Sequence, residues 1–156
     1  MNPRAMSALR VFCSAVACAS LLTLASCSDD DDGGSKSVNV MLQEFSITLD
    51  RDSAHPGNVT FDVSNVGEDE HEFLVIRTDL APDALPTEEN GSYEEDGEGT
   101  VLLDEIESIT PGNHAELTLD LEAGSYVLIC NMVHVEDDGE VEVHYALGMR
   151  TAFTVG

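Results

Sequence analysis

The sequence contains no tryptophan and few basic residues. Lysine and arginine together number 6 against 31 aspartate and glutamate residues, which gives a formal net charge of -25 at pH 7. A surface this acidic repels phosphate groups, so nucleic acid and an anionic membrane surface are excluded as main partners. The charge favours cations and proteins that present a basic docking face. Hydrophobic residues make up 42% of the chain, which is enough to build the core of one domain.

The chain also lacks an apolar run long enough to span a bilayer. The segment Val11–Leu24 is apolar, follows Arg4 and Arg10, and is too short for a mature transmembrane helix. This arrangement is typical of a targeting segment. The segment runs into Leu-Ala-Ser-Cys at 24–27, which resembles the lipobox of bacterial lipoproteins.

The lipobox resemblance implies that the protein is exported and attached to a membrane by lipid alone. A peptidase would cut before Cys27, which would then carry the acyl chains, and more than one chain is needed for stable anchoring. Ser28 after the cysteine favours the outer membrane. We therefore divide the chain into a lipoprotein signal peptide at 1–26, the lipidated Cys27 with a flexible acidic linker at 27–37, and one folded domain at 38–156.

Cysteine is scarce once this processing is considered. Of the 4 cysteines, Cys13 and Cys18 leave with the signal peptide and Cys27 carries lipid. Cys130 is then a lone thiol, which cannot form an internal disulfide. It is either a buried inert residue or one with a chemical role.

The dominant hydrophobic period in the folded part is two, which predicts half-buried strands. It appears around Phe45–Leu49, Val59–Val63 and Ala115–Leu121, with Gly, Pro and Asn turn signals between them. More continuous apolar runs, which indicate central strands, lie at 73–76, 126–129 and 152–155. We expect an antiparallel β-sandwich of about seven or eight strands. Residues 103–109 are expected to form a helical turn or two, and 78–100 and 136–142 to form acidic loops.

Among the 5 histidines, His71 has the most informative position. It shares one strand face with Phe73 and Val75, so its ring is directed toward the core. A lone inward histidine is more often a core residue than a metal ligand. The C-terminal third adds four soft ligand candidates, which are Cys130, His134, His144 and Met149. Two imidazoles and a thiolate with a weak axial thioether form a copper site, whereas zinc would prefer four strong ligands.

With these motifs in place, the chain resembles the cupredoxin superfamily of plastocyanin-like and azurin-like blue-copper domains over nearly all of 38–155. The resemblance is carried by four segments, which read V-T-F-D-V-S-N-V-G at 59–67, H-E-F at 71–73, P-G-N-H-A-E-L-T-L-D-L-E-A-G-S-Y-V-L-I-C-N at 111–131 and H-Y-A-L-G-M-R-T-A-F-T-V at 144–155. It implies a Greek-key antiparallel sandwich that binds one copper ion. The ligands implied are His71, Cys130 and His144, with Met149 in the axial position.

One departure from the family leaves the second imidazole open. Cupredoxins usually place only a few residues between the cysteine and the second histidine, and here Asn131–Val143 intervene. Either His144 is the ligand and this segment forms an acidic hairpin, or His134 binds the metal and Met149 is recruited from further away. The intact spacing from His144 to Met149 favours the first assignment.

The function implied by the resemblance is one-electron transfer outside the cytoplasm. A site with all positions filled has no place for substrate, so we expect no enzymatic activity. The acidic surface favours a basic redox partner such as a c-type cytochrome. The alternatives are a copper carrier or buffer in the cell envelope, and a metal-free binding lipoprotein that keeps the sandwich.

Overall fold

The computed structural model describes residues 37–135 and 139–156. The predicted signal peptide, Cys27 and nearly all of the linker lie outside these residues. The described part of the chain contains eleven strands and one short helix. They are β1 (Ser37–Gln43), β2 (Ser46–Leu49), β3 (Ser53–Ala54), β4 (Gly57–Asn65), β5 (His71–Arg77), β6 (Val101–Ile109), β7 (His114–Leu121), β8 (Gly124–Ile129), β9 (Val133–Val135), β10 (Val141–Val143), α1 (His144–Leu147) and β11 (Arg150–Val155).

The strands form two main sheets and a separate hairpin. One sheet has the order β2-β1-β4-β7, the other has the order β3-β11-β8-β5-β6, and β9 pairs with β10 alone. The predicted sandwich is confirmed, but its sheets are mixed rather than purely antiparallel. Strand β1 runs parallel to β4, and β3 runs parallel to β11. Hydrophobic alternation predicts that a segment is a strand, but it does not predict which strand lies beside it or whether the two run parallel.

The main core lies between the two sheets and follows the period of two. In β4, Val59, Phe61 and Val63 are fully buried, while the residues between them are partly exposed. Phe61 packs against Phe73 and Phe153 of the opposite sheet, with ring centroids 5.4 and 5.3 Å apart. One-sided burial therefore produces the alternation seen in the sequence.

The central strands β5 and β8 of the five-stranded sheet are buried on both faces. The outer face of this sheet carries a second cluster, in which Ile76 and Ile129 pack with side chains from the acidic loop 78–100. Leu85 and Tyr93 provide this cover, and Tyr93 exchanges two hydrogen bonds with the Asn131 side chain, at 2.6 and 3.1 Å. This second core explains why β5 and β8 read as continuous apolar runs.

The prediction of a helical turn or two at residues 103–109 was wrong. They form the C-terminal part of strand β6, which pairs with β5 through two register irregularities. Leu and Glu favour a helix in isolation, but pairing with a buried central strand outweighs a propensity of a few tenths of a kcal/mol per residue.

The segment after Cys130 forms the predicted hairpin. Val133, His134 and Val135 of β9 pair with Val143, Glu142 and Val141 of β10. The backbone N–H of His144 donates to the carbonyl of Met132 at 3.0 Å and closes the base of the hairpin. The described residues contain no helix long and apolar enough to cross a bilayer.

Candidate metal centre

Three of the predicted site residues lie at one end of the five-stranded sheet. His71 is the first residue of β5, Cys130 directly follows β8, and Met149 directly precedes β11. Because β8 is antiparallel to both neighbours, its end lies beside their beginnings. The backbone N–H of Cys130 donates to the Met149 carbonyl at 3.1 Å, which continues the pairing past the strand ends.

His144 reaches the same place from the hairpin. It begins helix α1, and its carbonyl accepts the backbone N–H of Met149 at 3.0 Å. The turn between them depends on Gly148, whose φ is +126°, a conformation that other residues rarely adopt. The segment from His144 to Met149 therefore forms a tight turn that places both residues beside Cys130.

The side chains of His71, Cys130 and His144 converge on one point. The two Nδ1 atoms lie 3.1 Å apart, and Cys130 Sγ lies 3.3 Å from Nδ1 of His144 and 3.8 Å from Nδ1 of His71. All three residues are fully buried. Of the residues described, these form the one group of three or more His, Cys, Asp or Glu side chains close enough to hold a metal ion.

The dimensions of this group fit a bound transition metal. An ion about 2.0 Å from each nitrogen and about 2.3 Å from the sulfur, with trigonal angles, separates the ligand atoms by roughly 3.5 Å. The observed separations lie on either side of that value. The Nε2 of His144, away from the convergence point, is buried and has no hydrogen-bond partner among the described residues. The Nδ1 and Sγ atoms therefore form a preassembled set of one thiol and two imidazoles.

Burial determines the protonation of these groups without an ion. Burial raises the pKa of the Cys130 thiol to about 12, although backbone N–H groups of Glu72 and Met132 favour the thiolate. Burial also lowers the pKa of His144 to about 4, with further lowering by His71 and His134. The site thus presents neutral imidazoles and a protonated thiol at neutral pH, and a metal ion must displace the thiol proton.

Glu72 connects the sulfur with a partly buried carboxyl group. Its backbone N–H donates to Cys130 Sγ at 3.4 Å. Burial raises the pKa of its side chain to about 7, although the backbone N–H of Asn131 favours the ionised carboxylate and so opposes this rise.

Met149 is fully buried and belongs to the same core cluster as Cys130. Its backbone bonds to both Cys130 and His144, so the fold places it at the site. Its predicted role as an axial ligand remains a prediction.

His134, the alternative second imidazole, lies outside the ligand group. Its ring stacks on that of His144 with centroids 5.0 Å apart and an interplanar angle of 17°. Phe45 contacts the same ring edge-on at 5.2 Å, so the two cover His144 from different directions. The remaining histidines, His55 and His114, are exposed.

Glu44 was not among the site residues predicted from the sequence. This residue lies between β1 and β2, and its Oε1 is 3.2 Å from Nε2 of His71. The same oxygen accepts the backbone N–H groups of Glu68 and Asp69, both at 2.8 Å. Burial opposes ionisation of Glu44, but these donors outweigh it and its pKa lies below the usual value. Since Glu44 and His71 lie 27 positions apart in the sequence, no local motif marks the contact.

Comparison with solved structures identifies the fold. No protein-family model and no curated protein matches the sequence. A reduced auracyanin from Roseiflexus castenholzii matches 80% of this chain and 99% of its own, with 18% identity and a TM-score of 0.53.

Two further solved structures agree with this match. Auracyanin A, a "blue" copper protein from Chloroflexus aurantiacus, covers 77% of this chain and 98% of its own at 16% identity, with a TM-score of 0.50. Reduced rusticyanin covers 78% of this chain and 77% of its own at 17% identity, also with a TM-score of 0.50. The described chain therefore has the cupredoxin fold.

Proposed function

We propose that this protein binds one copper ion and transfers single electrons. His71, Cys130 and His144 supply the strong ligands, and Met149 supplies a weak axial contact. The observation that carries the proposal is the convergence of two Nδ1 atoms and one Sγ within 3.1–3.8 Å of one another, in a fold shared with auracyanin and rusticyanin.

The donor set favours copper over zinc. A His₂Cys group with a distant thioether suits Cu(I) and Cu(II), whereas a structural zinc site takes four strong ligands. A copper ion in this position supplies a one-electron couple. The ligands are held by strand ends and by the His144–Met149 turn, so they move little when the charge of the ion changes.

The burial of the ligands favours electron transfer over the alternative of copper delivery. A carrier must expose its ligands to a receiving protein, but His71, Cys130 and His144 have no accessible surface. Release of the ion would require opening of the hairpin or of the segment around Phe45. A filled site of this kind also leaves no position for substrate, so we propose that the protein is not an enzyme.

We further propose that the protein works outside the cytoplasm, anchored by lipid at Cys27 on the envelope side of a membrane. Its partner would be a cytochrome-like redox protein with a basic docking face, because the net charge of -25 steers such a protein toward it. The electron-transfer rate with a basic c-type cytochrome should fall as salt rises from about 0.01 to 0.1 M, since the Debye length shortens from about 30 to 10 Å. A rate that is independent of salt would contradict this partner.

The decisive experiment adds copper to the purified full-length protein and records its visible spectrum and voltammogram. We expect an intense thiolate-to-copper band, one ion per chain, and a reversible one-electron wave. Cys130→Ser is the matched control, because it keeps the size of the side chain and removes the sulfur, and it should abolish the band. Copper binding without the band or the wave would refute the proposal.

A further inference from the structure

The surroundings of Glu44 indicate how the His71 tautomer and the reduction potential of the copper centre are set. This inference rests on the proposed function. A single oxygen, Oε1, lies within 3.2 Å of three nitrogen atoms. These are the nitrogens of the backbone N–H groups of Glu68 and Asp69 and the imidazole Nε2 of His71. The first two hold the carboxylate in place, because both belong to the turn that leads into β5.

The geometry also determines which imidazole nitrogen is free for a metal. A neutral imidazole carries one proton, so Nδ1 of His71 has a lone pair for an ion only when Nε2 is protonated. The Nε2 atom lies 3.2 Å from Oε1, at hydrogen-bond distance although not in full alignment, and the attraction between an N–H dipole and an anion at this range does not require ideal alignment. A carboxylate beside Nε2 therefore favours the tautomer that leaves Nδ1 directed at His144 and Cys130.

Gly67 shows that the fold reserves space for this carboxylate. A Cβ atom at position 67 would overlap Oε1 of Glu44 and approach the rest of its carboxyl group. Any other residue there would displace the carboxylate from the Glu68 and Asp69 donors. Three separate features of the turn therefore fix one anionic oxygen beside a histidine that has no accessible surface.

We infer that Glu44 is a positioning residue of the copper centre, which holds the His71 tautomer and, through its charge, favours Cu(II) over Cu(I). Outer-shell carboxylates of this type typically change metal affinity by about 10- to 100-fold when removed. A negative charge beside the imidazole stabilises the ion with the higher charge more, so its removal raises the reduction potential.

The test uses copper-loaded and metal-free full-length protein with a graded set of variants. Glu44→Gln keeps an acceptor oxygen but removes the charge, and Glu44→Ala removes both. Gly67→Ala keeps the carboxylate but displaces it. Glu68→Gln is the matched control, because it removes an exposed charge from the same turn and leaves the backbone N–H in place.

Voltammetry reports the effect of the charge. Glu44→Gln should lower the preference for Cu(II) over Cu(I) by about tenfold, which is a rise of about 59 mV for a one-electron couple. Gly67→Ala should shift the potential in the same direction, and Glu68→Gln should change it far less. Equal shifts in Glu44→Gln and Glu68→Gln would overturn the inference, because the effect would then be that of the general acidic surface.

Nitrogen-15 NMR of the metal-free protein reports the tautomer without copper. We expect His71 to be protonated at Nε2 in the wild type and in Glu44→Gln, and to lose this preference in Glu44→Ala. An unchanged tautomer in Glu44→Ala would overturn the positioning role. A wild-type protein without a copper band would refute the proposed function, whereas a normal band with an unaltered potential in Glu44→Gln would refute only this inference.

Discussion

Loading the metal centre with Cu(I) at neutral pH should release about one proton per ion. Without an ion, burial holds the pKa of Cys130 at about 12, so the thiol is protonated throughout the physiological range. Burial also lowers the pKa of His144 to about 4 and lowers that of His71, for which the nearby Glu44 carboxylate is the opposing influence. Only the thiol therefore carries a proton that the ion must displace.

The size and sign of the effect follow from this protonation state. Because one proton is displaced, the apparent affinity for Cu(I) rises tenfold for each unit of pH. This slope holds at pH values that are well above the pKa of His144 and well below that of Cys130. Between about pH 6 and pH 8 the gain is about 100-fold, or roughly 2.7 kcal/mol. Cu(I) replaces a proton of the same charge, so the partly buried carboxyl of Glu72, with a pKa of about 7, meets no net change in charge and adds little to this slope.

Competition with a chelator of known pH dependence measures this slope, and calorimetry in buffers of different ionisation enthalpy measures the proton directly. The variant Glu72→Gln should keep a slope of one, which shows that the released proton comes from the thiol and not from this carboxyl. Release of no proton would mean that the thiol is already ionised in the metal-free protein. Release of two in Glu72→Gln would mean that an imidazole is protonated there, and either result would refute the reasoning.

Three further predictions test the ligand choice and the fold. His134→Ala should keep the thiolate-to-copper band and His144→Ala should lose it, because of these two residues His144 is the one that directs Nδ1 at the sulfur; the reverse pattern in the visible spectra would assign the ligand to His134. Phe61→Ala should lower the free energy of unfolding by about 3–5 kcal/mol in a denaturant titration, since the ring is fully buried between the sheets; a loss below about 1 kcal/mol would contradict this packing. Asn65→Ala removes three hydrogen bonds of 2.7–2.9 Å beside the turn before β5 and should cost about 2–4 kcal/mol by the same measurement, with Asn65→Asp as the near-isosteric comparison.

The sandwich could be predicted from the sequence because most of its strands are buried on one face. Val59, Phe61 and Val63 alternate with polar residues, and the structure places them in the core between the sheets. The inward direction of His71 followed from the same period, since it shares its face with Phe73. Strand β6 was missed because its residues are mostly exposed or partly exposed, so the burial pattern that identifies a strand is weak there.

The candidate centre was predictable only where its parts are local. The strand end at Cys130 and the turn from His144 to Met149 are visible as short motifs, and the structure brings Cys130 and His144 together with His71. Parallel pairing of β1 with β4, and the contact of Glu44 with His71, depend on which distant segments become neighbours. No periodicity in one sequence contains that information.

The hydrogen bond from the backbone N–H of His144 to the Met132 carbonyl makes the geometry of the metal centre independent of the length of the segment between Cys130 and His144. The chain leaves the domain at Met132 and returns at His144, so whatever lies between these residues is pinned at its base. Closing a longer loop costs only about 0.6 kcal/mol for each doubling of its length. Beyond the pairs of β9 with β10, which hold His134 against the ring of His144, this segment can therefore gain or lose residues, or accept a foreign sequence that recognises a chosen partner, while the spacing of the sulfur and imidazole donors is preserved.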